Sequence, residues 1–270
     1  MAITLKNHTP SLYVFGDSFS VVGPTKNRTP NPIIPDWQWN VSLAKRLRMD
    51  LQSIAEFGTS NDWILLMVTK RLHEFKSGDI VIVQTTEPQR YWFFEDNPSI
   101  SNVGSGDDMS NEGISTEQQT AIKLYWKYLH TNDKDQLRHE ANYAYLNTLK
   151  WLCSNMGVKL IILPGFSLPN LFPIAGPAIN GTLQTVSLGE FVDKRAGEEW
   201  YSRPNTPDQR LNHLSQHNHK IISERLFDHI KQDKDLDLTT GYLQKYLSVA
   251  TQKTEQLNPE PIQHTMIGDE

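Results

Sequence analysis

Short runs of apolar and β-branched residues alternate along this chain with longer stretches whose apolar residues recur at helical spacing. Ser11-Leu12-Tyr13-Val14-Phe15 ends at Gly16 and reads as a buried strand. Asp79-Ile80-Val81-Ile82-Val83-Gln84 and Val158-Lys159-Leu160-Ile161-Ile162-Leu163 are runs of the type that suits a strand covered on both faces. Leu51 to Phe57, stopped by Gly58, predicts a further strand. Between them, Trp39, Leu43, Ala44 and Leu47 mark a helix within Trp37–Met49. Ser60 or Asn61 can cap a second helix, running to Phe75 with Ile64, Leu65, Val68 and Leu72 on one face. Helical patterns follow at Thr116–His130, at Asp133–Asn155 and from Ser215 to about Ile230.

Strands alternating with helices predict an α/β fold, a three-layer α/β/α sandwich around a parallel sheet of about five strands. The domain is expected to span 10–232. Irregular insertions, rich in turn-forming residues, are expected near 91–114 and 166–207. Residues 233–270 are polar apart from an amphipathic patch at Tyr242–Val249, and predict a partly disordered C-terminal extension.

Composition narrows the function classes. With 26 Lys+Arg against 31 Asp+Glu, the net charge of −5 leaves no cationic surplus to neutralise phosphates, so nucleic acid is not an expected partner. The single cysteine, Cys153, excludes a disulfide framework and a Cys-based zinc site. Apolar runs such as Ile64–Val68 are too short to cross a bilayer, and the N-terminus has no apolar core of signal-peptide length. The expectation is a soluble protein, cytoplasmic on synthesis, with no membrane partner.

In parallel α/β sheets function collects at the carboxyl ends of the strands. The residues at those positions are Gly16-Asp17-Ser18-Phe19-Ser20, Gly58-Thr59-Ser60-Asn61-Asp62 and Gln84-Thr85-Thr86-Glu87-Pro88-Gln89-Arg90. A histidine cluster, Asn212-His213-Leu214-Ser215-Gln216-His217-Asn218-His219, opens the last helix. Gly-Asp-Ser after a first strand, a Gly after the second and a late His resemble the SGNH (GDSL-type) hydrolases, whose fold is flavodoxin-like. On that resemblance Ser18 is the nucleophile, Gly58 the second-block glycine and His213 the base. The resemblance covers roughly 11–90 and 158–231.

It implies acyl transfer with no metal or organic cofactor. A serine hydroxyl becomes a useful nucleophile when an imidazole takes its proton, and the oxyanion that forms needs donors already aimed at it. The family's donors are the backbone N–H groups of Ser18 and Gly58 plus an Asn side chain. Here Thr86 stands at the Asn position, and Asn61, three residues past Gly58, is a rival donor. The family's acid lies three residues before the His, where this chain has Arg210; Asp208, five before, is the nearest acid. Either Asp208 reaches the imidazole or a backbone carbonyl holds it.

Other residues carry two readings each. Arg90 binds a substrate carboxylate or pairs with Glu87 or Glu95. Trp92, at the head of Trp92-Phe93-Phe94, packs in the core or lines a sugar or acyl pocket. Asp17 fixes the turn through side-chain to backbone hydrogen bonds. His213 and His217 have the i, i+4 spacing of a helical metal pair but lack the adjacent Glu of zinc proteases, Leu214 standing there, so no metal is expected. The blocks around Trp37-Gln38-Trp39, Gly58-Thr59-Ser60-Asn61 and Thr86-Glu87-Pro88-Gln89-Arg90 are similar to bacteriophage-encoded members. That similarity implies an O-acylated glycan as ester substrate, a virion location and virion assembly partners. The alternative is a catalytically weakened scaffold serving as a binding or structural protein.

Overall fold

The computed structural model describes residues 9–22, 36–88, 90, 92, 115–131, 134–166, 177–186, 214 and 216–242. Its centre is β1 (Ser11–Gly16), every residue of which is buried. β1 pairs in parallel with β2 (Asp50–Ala55) on one side and β3 (Ile80–Thr85) on the other. β4 (Lys159–Pro164) adds in parallel to β3, giving the order β2-β1-β3-β4.

Strand alternation builds two cores. Leu12, Val14, Ile80, Ile82, Ile161 and Leu163 face one side, where α1 (Trp39–Leu47) and α5 (Gln216–Gln232) pack with Trp39, Leu43, Ile222 and Leu226. Tyr13, Phe15, Val81, Val83 and Ile162 face the other. There α2 (Asn61–Arg71) and α4 (Lys134–Asn155) supply Ile64, Val68, Leu146 and Leu149. α3 (Thr116–Thr131) packs against α4, with Ile122 and Leu129 buried. The split follows from right-handed crossovers: the chain steps one way from β1 to β2 and back the other way to β3, so α1 and α2 fall on opposite faces. The molecule is a three-layer α/β/α sandwich.

Among the described residues the main sheet has four strands. A separate two-strand parallel ladder joins β5 (Ile179–Asn180) to β6 (Leu236–Asp237). It lies in the stretch read as irregular and beyond the expected boundary at 232. Leu236 and Leu238 are fully buried in the α1/α5 core, so the fold runs on past that boundary. Residues 93–114, most of 167–207 and the Tyr242–Val249 patch beyond Tyr242 lie outside the described residues. Among the described residues no helix is long and apolar enough to cross a membrane.

Candidate active site

The strand order reverses direction at β1, so the carboxyl ends of β1 and β3 flank the usual ligand position of a doubly wound sheet. The Gly16-Asp17-Ser18 turn stands there. Asp17 is fully buried and Ser18 partly exposed. The turn is pinned from both sides. Asp17 Oδ1 accepts from the Phe19 N–H at 3.0 Å, and the Ser20 N–H donates to the Asp17 carbonyl at 2.9 Å. From α1, the Trp39 indole N–H donates to the Phe19 carbonyl (2.9 Å) and Asn40 Nδ2 to that of Ser20 (2.7 Å). Ser18 is thus held between residues whose backbone groups are already bonded.

β3 supplies the opposite wall. Gln84 Oε1 accepts from the Asp17 N–H (3.0 Å) and from Ser20 Oγ (2.9 Å), while its Nε2 donates to the Thr85 carbonyl (2.7 Å). Gly16 permits this approach, since a Cβ there would lie 2.4 Å from Gln84 Oε1. Gln84 was not singled out in the sequence. The available signal was a polar residue closing an apolar β-run, which in a buried strand must find partners.

The Thr86 side chain is engaged on both sides. Its hydroxyl donates to Asp17 Oδ2 at 2.5 Å and accepts from Arg90 Nη1 at 2.8 Å, so its one proton is engaged away from any oxyanion. Arg90 also donates to Asp17 Oδ2 (3.2 Å) and to Glu87 (3.3 Å), with its guanidinium 5.2 Å from the Phe166 ring centroid. That geometry pairs Arg90 with Glu87 and with Asp17, the latter an unforeseen partner. Asp17, expected to fix a turn, therefore also ties β1 to the loop after β3.

Asn61 opens α2 behind the Ser60 cap, whose hydroxyl accepts from the Trp63 N–H at 3.3 Å. Its side-chain amide clamps Thr86: Nδ2 donates to the Thr86 carbonyl at 3.1 Å and Oδ1 accepts the Thr86 N–H at 2.8 Å. An amide nitrogen carries two hydrogens, and Thr86 takes one of them. Gly58 holds φ +64°, the left-handed region that a side chain rarely adopts, and turns the chain from β2 into α2.

Arg138 of α4 braces this loop from outside. It donates to the Arg90 carbonyl (2.8 Å), to Asp62 Oδ2 (3.0 Å) and to the Pro88 carbonyl. Nothing in its polar helical context marked it in the sequence. Trp92 is half-buried against the α2/α4 core.

His213 and Asp208 lie outside the described residues. The next residue, Leu214, is 1% exposed and belongs to the α1/α5 core. His217 is exposed, whereas His219 is buried and its Nδ1 accepts the Trp39 N–H at 3.2 Å, which caps α1. Cys153 is fully buried in the second core, where burial pushes its thiol up to about 11.

No protein-family model and no curated protein matches the chain. Several solved structures are similar to it. One is a carbohydrate esterase whose active site displays divergent catalytic and non-catalytic binding functions: 12% identity, TM-score 0.39, covering 84% of this chain and 70% of that one. A G-D-S-L family protein from Desulfitobacterium hafniense DCB-2 shares 12% identity at TM-score 0.29, over 80% of this chain and 97% of its own. A carbohydrate esterase family 2 enzyme with a carbohydrate-binding domain, from Corynascus thermopiles (Myceliophthora fergusii), shares 12% identity at TM-score 0.33, over 86% and 68%.

Proposed function

We propose that the protein is a serine ester hydrolase of the SGNH (GDSL) type, acting on an acyl ester such as that of an O-acylated glycan. The observation that supports this reading is the placement of Ser18 at the switch point, on a turn whose flanking groups are fixed by Gln84, Trp39 and Asn40. A nucleophile needs such a turn, because attack demands a hydroxyl held in one place beside donors that do not have to reorganise.

In this mechanism Ser18 Oγ attacks the ester carbonyl carbon while His213 takes the hydroxyl proton. The tetrahedral oxyanion is met by the Ser18 and Gly58 N–H groups and by the remaining hydrogen of Asn61 Nδ2. His213 returns its proton to the departing alcohol, leaving acyl-Ser18. Water, deprotonated by His213, then attacks the acyl carbon, the bond from that carbon to Ser18 Oγ breaks, and His213 returns the proton to Ser18 Oγ as the acid leaves. Asp208 orients the imidazole, or a backbone carbonyl does so. With the Thr86 hydroxyl engaged by Asp17, the third donor is Asn61.

The same engagement of Thr86 favours a second reading, a weakened catalyst that binds esters without turning them over. A fluorophosphonate probe and p-nitrophenyl acetate separate the two. The proposal expects labelling of Ser18 alone and a loss of turnover of about 10³-fold or more in Ser18→Ala and in His213→Ala. Labelling that persists in a folded Ser18→Ala protein, as judged by its melting curve, overturns it.

A further inference from the structure

Among the described residues, every large apolar side chain that stands exposed belongs to α3 or α4: Leu124, Tyr125 and Tyr128 on the first, Leu137 and Trp151 on the second. The two helices are joined by two residues and pack on each other, so they form one helical hairpin on one face of the sheet. α4 turns Leu146, Leu149 and Cys153 toward the sheet. Its opposite face reads Leu137, Ala141, Ala144, Thr148, Trp151, all five exposed. Those positions are spaced four, three, four and three residues apart, a mean period of 3.5. That is the period of a seam that lies against another helix, and none of the five residues is charged. α3 is built the same way. Its Ile122 and Leu129 are buried, while Leu124, Tyr125 and Tyr128 form an i, i+1, i+4 patch that the fold leaves open.

We propose that this hairpin is a dimer interface whose partner is a second copy of the chain, the two hairpins closing into a four-helix bundle across a two-fold axis. The order of side chains along α4 singles out a copy of itself. Read in either direction, the stripe is large, small, small, small, large. A two-fold axis near Ala144 lays Leu137 of one protomer beside the partner's Trp151, and the alanines let the two α4 backbones approach closely. An isologous contact requires that self-complementarity, because one patch must serve as both surfaces. Size agrees. With Trp151 66% and Tyr128 53% exposed, the five large side chains alone offer roughly 500 Å² per copy. The small residues between them and the rim bring this toward the roughly 800 Å² per partner that stable interfaces bury. Antiparallel α4 helices also oppose their macrodipoles. The inference is independent of the hydrolase reading.

Sedimentation equilibrium of the full chain over about 1 to 100 µM is expected to reach twice the 30.9 kDa chain mass, with dissociation on dilution. Leu137→Glu and Trp151→Glu each place a charge in the seam and should raise the dissociation constant about thirtyfold or more. Both positions are exposed in the protomer, so melting curves at the lowest concentration should match the parent's. Lys220→Glu, at an exposed position on α5, should leave the dimer intact. Orientation is read with Ala144→Cys. Near a two-fold axis the new thiol meets its own copy and should give a disulfide-linked dimer on mild oxidation, whereas Lys220→Cys should not. The native Cys153 is fully buried and does not compete. Loss of the dimer in both Glu variants supports the hairpin as the interface. A monomer at every concentration overturns the proposal, whatever else covers the hairpin. So does a dimer that survives both Glu substitutions without an Ala144→Cys crosslink, since it is then built on another face.

Discussion

A fully buried carboxylate survives in a fold only if every lone pair facing the interior meets a donor. Asp17 meets three: the Phe19 N–H, the Thr86 hydroxyl and the Arg90 guanidinium. Replacing Asp17 by Asn leaves Arg90, whose side chain is 13% exposed, without its buried counter-charge. The expected loss is about 3 kcal/mol, readable as a lowered midpoint in urea unfolding. A midpoint unchanged by Asp17→Asn would show that Glu87 alone satisfies Arg90. Gly16→Ala should also destabilise, because the new methyl meets Gln84 Oε1 and must push it off the Asp17 and Ser20 donors. At this scale the sequence displayed Gly58, because a left-handed turn restricts residue type at a fixed place. Gln84, Arg138 and the Asp17–Arg90 pair were not legible. Each is a contact between segments distant in sequence, and no local pattern distinguishes such a residue from a solvated one.

The elements were more legible than their partners. β1, β3 and β4 show because a strand covered on both faces must be apolar at every position, and the helices because one face must be. β5 and β6 escaped notice because two-residue strands have no period to detect. What holds them is local polar chemistry. The Asp237 carboxylate accepts from the Thr239 N–H (2.7 Å) and hydroxyl (2.6 Å) and from the Thr240 hydroxyl. Chiefly the Thr239 hydroxyl, then those of Thr240 and the Thr239 N–H, hold this carboxyl well below the usual carboxylate range. A depressed carboxyl pKa contributes stability above the unfolded value near 4 and loses it as pH falls toward the folded value. Amide exchange at Thr239 should therefore quicken relative to neighbouring amides below about pH 4, and Asp237→Asn should remove that pH dependence. The α1 N-terminus depends on a distant residue in the same way. His219→Ala deprives the Trp39 N–H of its acceptor, and by analogy with lost caps should cost about 1 kcal/mol.

On the scale of the whole molecule, the site stands where the two cores meet the ends of the sheet, so its geometry depends on both faces staying packed. The α1 face holds the Ser18 turn directly, through Trp39 and Asn40. That face is closed in part by residues past α5: Leu236 and Leu238 are fully buried in the same cluster as Trp39, Leu183 and Leu226. Removing either leucine side chain takes away its transfer free energy and leaves a cavity, typically about 2–5 kcal/mol for Leu→Ala. Domains of this kind carry about 5–15 kcal/mol in total. A chain ending at residue 232 lacks both leucines and the β5–β6 ladder at once. It is expected to fold poorly or to melt far below the full chain, with the proposed esterase activity and Ser18 labelling lost together. Leu238→Ala in the full chain should lower the midpoint by a smaller step yet keep fluorophosphonate labelling under native conditions, because Trp39 and Asn40 still hold the turn. Full-chain melting behaviour in the protein truncated at 232 would show that β6 merely rests on the α1 face. In that case α1 and α5 alone fix the turn that carries Ser18.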